Sequence, residues 1–390
     1  MNHHITPIVI LGGGLVGGLL AVSLKRNNIP FVLVESDSVQ NLLDMVKDGR
    51  TTAVSLKSQN IFKNLNLWQD NLLNNACPIK TIQVFEKNSF CNLQFDHDAV
   101  GPDPMGYIVE NFYLRESILN ELENLPHCYF ETKAVDIQKT KQSVKVTLSN
   151  GLVVEASLLV SAEGRKSPSR DLIAPQIKSR DYAQRALVVH LEHEKPHNFR
   201  AFEVFTSDGP FAILPLLDEH HKKSGIVFAK SSNFDWVSQT DFMIEEEIEK
   251  IFPFYGKVKI ISKRWQFPLS VFAVDILTKD RQVLIGDAAH GMHPLAGQGV
   301  NLGWRDVEEL SACIVQNYKI GLDIGNQTYL NQYAKKRTSD IKAMLHATDF
   351  MNQLFENDSK TLFYVRNFGL SLINQISPLK RFFIKKAMGF

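Results

Sequence analysis

The chain has 390 residues, 44% of them hydrophobic, with a formal net charge of +1. That is enough apolar content for a large core divided between two packed domains, and a charge so near zero gives no bulk attraction for nucleic acid. The four cysteines, Cys77, Cys91, Cys128 and Cys313, are scattered without a Cys-x-x-Cys pair, which argues against a disulfide scaffold or a cysteine zinc site and fits a reducing compartment. The N-terminal apolar run has no basic segment before it and is expected to be a strand rather than a signal peptide. No apolar stretch approaches the roughly 20 residues that span a bilayer, so the protein is expected to be soluble or peripheral.

In chain order, Pro7–Leu11 is a short, fully apolar strand. Gly12-Gly13-Gly14-Leu15-Val16-Gly17 follows at once, then a helix ending near Asn28 and a second strand, Phe31–Val34, closed by Glu35. This is a G-x-G-x-x-G turn framed by strand, helix, strand and acid. Gly12 makes the turn, Gly14 admits a pyrophosphate, Gly17 lets helix and strand pack closely, and Glu35 accepts from a ribose hydroxyl. FAD and NAD fit this unit equally. The segment from Asp48 to Ser55 is expected to open a helix, with Arg50 either reaching a flavin or phosphate or standing as a solvated charge. Ile79–Phe85 alternates like a strand, and 95–104 is expected to be a loop. Gly106–Val109 is a strand before a helix starting near Tyr113, where Arg115 opposes the helix dipole unless an anion lies close.

Ser157–Ala162 is another buried strand, ending in Glu163-Gly164. From 181 to 274 the texture changes to alternating strands separated by turns, the pattern of an antiparallel sheet with one face exposed. His190, His193 and His197 interleave with Glu192 and Glu194 there, but a strand directs His190 and His193 to opposite sides, against a shared metal. The α/β pattern then resumes. Val283–Ile285 is a strand, Gly286-Asp287 follows, and Gly297-Gln298-Gly299 opens a helix with apolar positions at Val300, Trp304, Val307, Leu310 and Ile314. Asp287 is placed to accept from ligand hydroxyls or to cap its turn, and a helix start with unpaired N–H groups suits an electron-rich ligand. Further on, Tyr333, Arg337 and Asp340 share a helical side. The tail from Pro378 mixes Lys380, Arg381, Lys385 and Lys386 with Phe382 and Phe383, as either an interfacial helix on anionic lipid or a final helix packed on the core.

Taken together, Gly12-x-Gly14-x-x-Gly17 with Glu35, the Glu163-Gly164 turn and Gly286-Asp287 resemble the three fingerprints of the FAD-dependent aromatic hydroxylases, the group A flavoprotein monooxygenases. Asp48-Gly49-Arg50, Gly106–Asn111, Gly209-Pro210 with Leu214-Pro215-Leu216, and above all His293–Gly303 with Arg305-Asp306 resemble the ubiquinone-biosynthesis hydroxylases of that group. Two positions depart from the pattern: Glu163 replaces the usual aspartate, and Trp304 stands where a smaller apolar residue is usual.

The resemblance implies a Rossmann-like FAD-binding α/β domain (1–75, 100–180 and 275–390, with C-terminal helices) and an inserted antiparallel β-sheet substrate domain (76–99 and 181–274). It implies an extended FAD held by Gly12, Gly14, Val16, Gly17, Glu35, Arg50, Arg115, Asp287, Gly297, Gln298 and Gly299, with His293 and Pro294 lining the flavin side, and no metal. NADPH or NADH serves as a transient reductant, consistent with the lack of a second dinucleotide fingerprint, and the substrate is a polyprenylated phenol. The location implied is cytoplasmic, with contact to the inner membrane face or a biosynthetic complex left open. Another flavin oxidoreductase on the same scaffold, or a non-catalytic FAD-bearing subunit of a membrane-associated complex, are the competing readings. The halogenase signature Trp-x-x-Ile-Pro is absent, the segment at Trp265 reading Trp-Gln-Phe-Pro.

Overall fold

A computed structural model describes residues 3–45, 49–87, 92–174, 176–292, 298–356 and 376–389. The first strand, His3–Leu11, lies parallel to Phe31–Val34 on one side and to Val153–Ser161 on the other. Its odd and even residues are all apolar from Ile8 to Leu11 and at most 2% exposed, as expected of a parallel strand covered on both faces. The strand Val153–Ser161 is shared along its far edge. Its first half pairs antiparallel with Val144–Leu148, and its last residues pair parallel with Gln282–Leu284. A strand from late in the chain therefore ends beside the first three. The C-terminal ends of these parallel strands carry Gly12, Glu35, Glu163 and Asp287, the position where open α/β sheets bind ligands.

The second sheet has nine strands among the described residues. Its long central strand, Ile177–His193, pairs with Lys223–Ser231 and Trp265–Val274. Beyond these come Gly209–Pro215 and Arg200–Thr206. Thr81–Glu86 joins Arg200–Thr206 in parallel, so the sheet is mixed at that edge, because this strand arrives from the other part of the chain rather than through a hairpin. One face packs on the helix Asp241–Ile251 through Ile244, Ile248 and Ile251.

A small sheet of Thr51–Ser55, Gly106–Glu110 and Cys77–Ile79 stands apart from both. Thr51–Ser55 was expected to be helical. The β-branched Thr51, Thr52 and Val54 instead pair with Gly106–Glu110, and the helix starts at Leu56, capped by the Ser55 hydroxyl, which accepts from Ser58 N–H. The helices Gln298–Lys319 and Gln327–Glu356 cover the first sheet. Trp304, Val307, Leu310 and Ile314 are at most 1% exposed, the stripe expected from the 3.6-residue period.

Candidate functional site

A cleft of about 640 Å³ opens at the strand ends, and Gly12, Gly14, Val16, Glu35, Arg50, Arg115, Glu163, Asp287 and Val300 all line it. The turn at its head is built from backbone constraints. Gly12 has φ +98°, and a Cβ there would lie 2.4 Å from the Ala162 carbonyl oxygen. A Cβ on Gly17 would lie 2.0 Å from the Gly12 oxygen. Gly14 differs: a Cβ there meets nothing within 4 Å, so its bare backbone faces open cleft. The helix behind it, Gly17–Arg26, has no side-chain cap and no acid in its first turn, which leaves its positive end available to an anion.

Glu35 is fixed by the backbone around it. Gly13 N–H donates to its Oε2 at 2.6 Å, Asp37 N–H to its Oε1 at 3.0 Å and the Ser36 hydroxyl to the same oxygen at 3.1 Å. Asp287, in a short turn of 3₁₀-helix, is exposed and lines this cleft. The protein crowded around it raises its carboxyl above the ordinary value, outweighing His290, Arg165, Arg50 and Arg170, which pull the other way. Such a carboxylate gains most from ligand hydroxyl donors. The open backbone at Gly14, the uncapped helix and these two acids fit an extended dinucleotide.

Two remote parts of the chain meet here. Val16 packs where a Cβ on Gly286 or Gly303 would sit, 3.0 and 2.7 Å from its methyls. Trp304 donates its indole N–H to the Leu15 carbonyl at 3.0 Å and sets its ring edge-on to Phe62. Beneath the Asp287 turn, the fully buried Asp306 accepts from Gly286 N–H (2.8 Å), His290 Nε2 (2.6 Å) and Arg337 Nε (2.7 Å). Burial alone would raise the Asp306 carboxyl, but His290, Arg337 and the Gly286 N–H together hold it below its usual range. Tyr333 donates to the Leu284 carbonyl, and Arg305 and Arg337 both reach Asp340. The shared helical side of Tyr333, Arg337 and Asp340 thus anchors the strand and turn that carry Asp287.

Arg170 was not singled out in the sequence. It is buried, and its guanidinium donates to the carbonyls of Gly164, Arg165, Asp287 and Ala288, tying two of the strand-end turns together. An arginine so soon after a strand-end Glu-Gly was the only available signal. Glu163 turns into its own loop, accepting from the Ser167 hydroxyl at 2.7 Å and from the Ser169 hydroxyl and N–H, so it caps this turn while lining the cleft. Arg50 lies over the Phe267 ring at 5.1 Å, and Arg115 enters the cleft from the second turn of the helix Asn111–Leu119. His293, Pro294 and Gly297 lie outside the described residues, as does the side chain of Gln298. Gly299 follows Gln298 in the first turn of the helix Gln298–Lys319.

Among the described residues, His190, His193 and His197 do not converge on one point. His190 bonds the Gly49 carbonyl at 2.8 Å, while His193 sits on the opposite side of the sheet, stacked on Tyr255. His197, Asp218 and His221 are close enough to share an ion. However, His197 Nδ1 accepts from Phe199 N–H and its Nε2 donates to the Leu216 carbonyl, so no lone pair is left for a metal. A larger concavity of about 880 Å³, at Phe85, Arg200, Phe254 and Tyr255, shares no residue with the cleft.

Comparison with known proteins gives a consistent picture. The family model described as "FAD binding domain" matches residues 5–348. The ubiquinone hydroxylase UbiL of Rhodospirillum rubrum is 35% identical, over 99% of this chain and 90% of its own. The 3-demethoxyubiquinol 3-hydroxylase of Escherichia coli is 28% identical over 100% of both. Among solved structures, the p-nitrophenol 4-monooxygenase PnpA of Pseudomonas putida superposes with a TM-score of 0.83, covering 100% of this chain and 99% of that one, at 16% identity; this likeness speaks to the fold.

Proposed function

The chain belongs to the FAD binding domain family, and on that premise we propose that it is an FAD- and NAD(P)H-dependent monooxygenase that hydroxylates the aromatic ring of a polyprenyl-phenol intermediate in ubiquinone biosynthesis. The relatives named ubiquinone hydroxylase UbiL and 3-demethoxyubiquinol 3-hydroxylase, matched over 90% and 100% of their own length, support this reading. The observation that carries it is the meeting of Gly12, Glu35 and Asp287 in one cleft.

The ADP half of FAD is assigned to Gly12, Gly14, Val16, Gly17 and Glu35, and the ribityl and pyrophosphate to Asp287, Arg115 and Arg50. The helix start at Gln298-Gly299 favours negative charge on the flavin's pyrimidine edge. His293, Pro294 and Gly297 complete the flavin side in this assignment. When bound, FAD would supply the redox chemistry, with NADPH or NADH as its reductant, by which one atom of dioxygen would go to the ring and the other to water. The protein's own part is to fix the two ends of the cofactor, exclude water and orient the phenol.

No helix among the described residues is long and apolar enough to cross a membrane. The C-terminal helix, Ser377–Ala387, buries Ile384 and is followed by the buried Met388, while Phe382, Phe383, Arg381, Lys385 and Lys386 stay exposed. We assign to that exposed side a peripheral contact with anionic lipid, where a polyprenylated substrate resides.

The test is to purify the protein, record its absorption spectrum and follow NAD(P)H oxidation with a prenylated phenol. Yellow protein, substrate-stimulated oxidation and a product heavier by one oxygen atom are expected. Colourless protein that refuses added FAD overturns the assignment. Yellow protein without stimulated oxidation identifies a non-catalytic subunit instead.

A further inference from the structure

The helix Asp241–Ile251 covers the inner strands on its face of the second sheet and leaves the margin open. Phe202 and Val204 pack with its Ile244, Ile248 and Ile251 in one cluster. The next strands outward, Thr81–Glu86 and Asn92–Asp96, carry polar residues on the same face. Phe202 pairs with Gln83 and Gln83 with Gln94, and the two amides are hydrogen-bonded at 2.8 Å. Past the helix, the short turn Pro253–Tyr255 and the loop from Lys195 to Asn198 stand beside this overhang and form the concavity of about 880 Å³. That volume is within the range of about 300–1,000 Å³ usual for small-molecule sites. Its apolar surface is aromatic: Phe85 and Phe202 come from the sheet, Phe254 and Tyr255 from the turn. Ring centres are 6.2 Å apart for Phe85 and Phe254 and 5.8 Å for Phe202 and Tyr255. Phe254 is 60% exposed, so its ring is left for whatever enters the concavity.

The charge of the lining is one-sided. Lys87, Lys195, Arg200 and Lys250 face a single acid, Glu86, which disfavours a metal cation. Lys250 has Glu246 at 3.6 Å, but among the described residues no carboxylate pairs with Lys195 or Arg200. Tyr255 is 6% exposed and stacked on His193, and its buried hydroxyl has no hydrogen-bond partner among the described residues. Burial raises that hydroxyl, and Arg200 is the charge that pulls it the other way. A guanidinium without a counter-ion and a phenol without an acceptor therefore lie close together at the foot of an aromatic wall, and one ligand oxyanion satisfies both. The turn that presents Arg200 is held against local preference. Asn198 and Phe199 have φ +50° and +60°, the left-handed region that side chains disfavour. It is locked by Phe199 N–H on His197 Nδ1, Arg200 N–H on the His197 carbonyl and Lys80 N–H on the Phe199 carbonyl. Backbone strain fixed in this way collects at binding sites.

We propose that this concavity is a second ligand site, for a small organic anion built on a planar ring. The carboxylate or phosphate of the ligand accepts from the Arg200 guanidinium and the Tyr255 hydroxyl, Lys195 adds charge, and the ring lies on Phe85 and Phe254. Phe202 belongs to the cluster on the helix side of the sheet, while its neighbour Ala201 belongs to the cluster that holds Ala53 of the strand Thr51–Ser55. The sheet thus separates this ligand from that strand, and the concavity shares no lining residue with the cofactor cleft. Its ligand is therefore not the ring that meets the flavin, and the assignment stands independently of the hydroxylase reading.

The experiment is calorimetric titration of the full-length, FAD-loaded protein with naphthoate, naphthamide, cyclohexanecarboxylate and adenosine monophosphate, with hydrogen exchange recorded on the same complexes. Naphthoate or adenosine monophosphate is expected to bind, and whichever binds more tightly identifies the anion as carboxylate or phosphate. Naphthamide and cyclohexanecarboxylate, which lack the charge and the flat ring, should bind at least tenfold more weakly than naphthoate. Arg200→Met should weaken the bound anion by about tenfold or more, Tyr255→Phe by about fivefold and Phe254→Ser by about fivefold, without change in FAD content. Exchange should slow at 195–200 and 251–256 and stay unchanged at 12–17 and 286–290. The proposal is overturned if neither anion binds at millimolar concentration, if naphthamide binds as well as naphthoate, or if protection falls on the cofactor cleft instead. Affinity unchanged in both Arg200→Met and Phe254→Ser overturns it as well. Should one of these variants fail to fold, the other and the exchange pattern of the unmodified protein decide.

Discussion

Trp304 and Leu15, 289 positions apart, are joined by one hydrogen bond from indole to carbonyl. The first belongs to the helix that follows the late fingerprint and the second to the glycine turn of the early one. Trp304→Phe keeps most of the packing against Phe62 but leaves the Leu15 carbonyl without this donor. A loss of about 1–2 kcal/mol in stability is expected, with weaker FAD retention, read by chemical denaturation and flavin-fluorescence titration. Unaltered FAD affinity would mean that this bond does not shape the turn.

The glycines of the turn separate fold from ligand contact. Gly17→Ala places a methyl against the Gly12 carbonyl and should destabilise the protein by several kcal/mol even without cofactor, from overpacking that the turn cannot relieve. Gly14→Ala meets no protein atom, so the melting temperature of the apoprotein should hold while FAD affinity falls at least tenfold. Equal effects of both substitutions on the apoprotein would refute the division of roles.

Asp306 sets an acid limit on stability. Its folded carboxyl is held below the ordinary range, so its contribution is complete above the unfolded value of about 4 and is lost as pH falls through the folded one. Asp306→Asn should remove that part of the acid limb and take one of the two carboxylates from the buried Arg337 guanidinium, which keeps Asp340, at a cost of about 1–3 kcal/mol at neutral pH. Denaturation curves recorded across the acid range check both.

At the C-terminal helix, Lys385→Gln with Lys386→Gln should weaken partitioning onto phosphatidylglycerol vesicles by roughly 30-fold, at about 1 kcal/mol for each basic group near the surface. Binding to neutral phosphatidylcholine vesicles should not change. Co-sedimentation on the two vesicle types decides it, and equal partitioning of variant and parent onto the anionic ones would dismiss this helix as the contact.

Much of this architecture was legible because its constraints are local. A glycine at positive φ, an acid at a strand end and a 3.6-residue apolar stripe each announce themselves within a few residues. Gly12, Glu35, Asp287 and the Trp304–Ile314 stripe are of this kind. What was not legible depends on remote partners. Thr51–Ser55 is a strand only because Gly106–Glu110 lies alongside it. Thr81–Glu86 runs parallel to Arg200–Thr206 only because the chain returns to it late.

Because the strand Gln282–Leu284 completes the first sheet and Trp304 secures the opening turn, a growing chain cannot close its cofactor cleft until its last quarter has left the ribosome. The early βαβ unit must wait, half-built and apolar, through the synthesis of an entire second sheet. Loading with flavin is thereby placed at the end of biogenesis, and a nascent chain halted before Asp287 carries only one of the cofactor's two moorings.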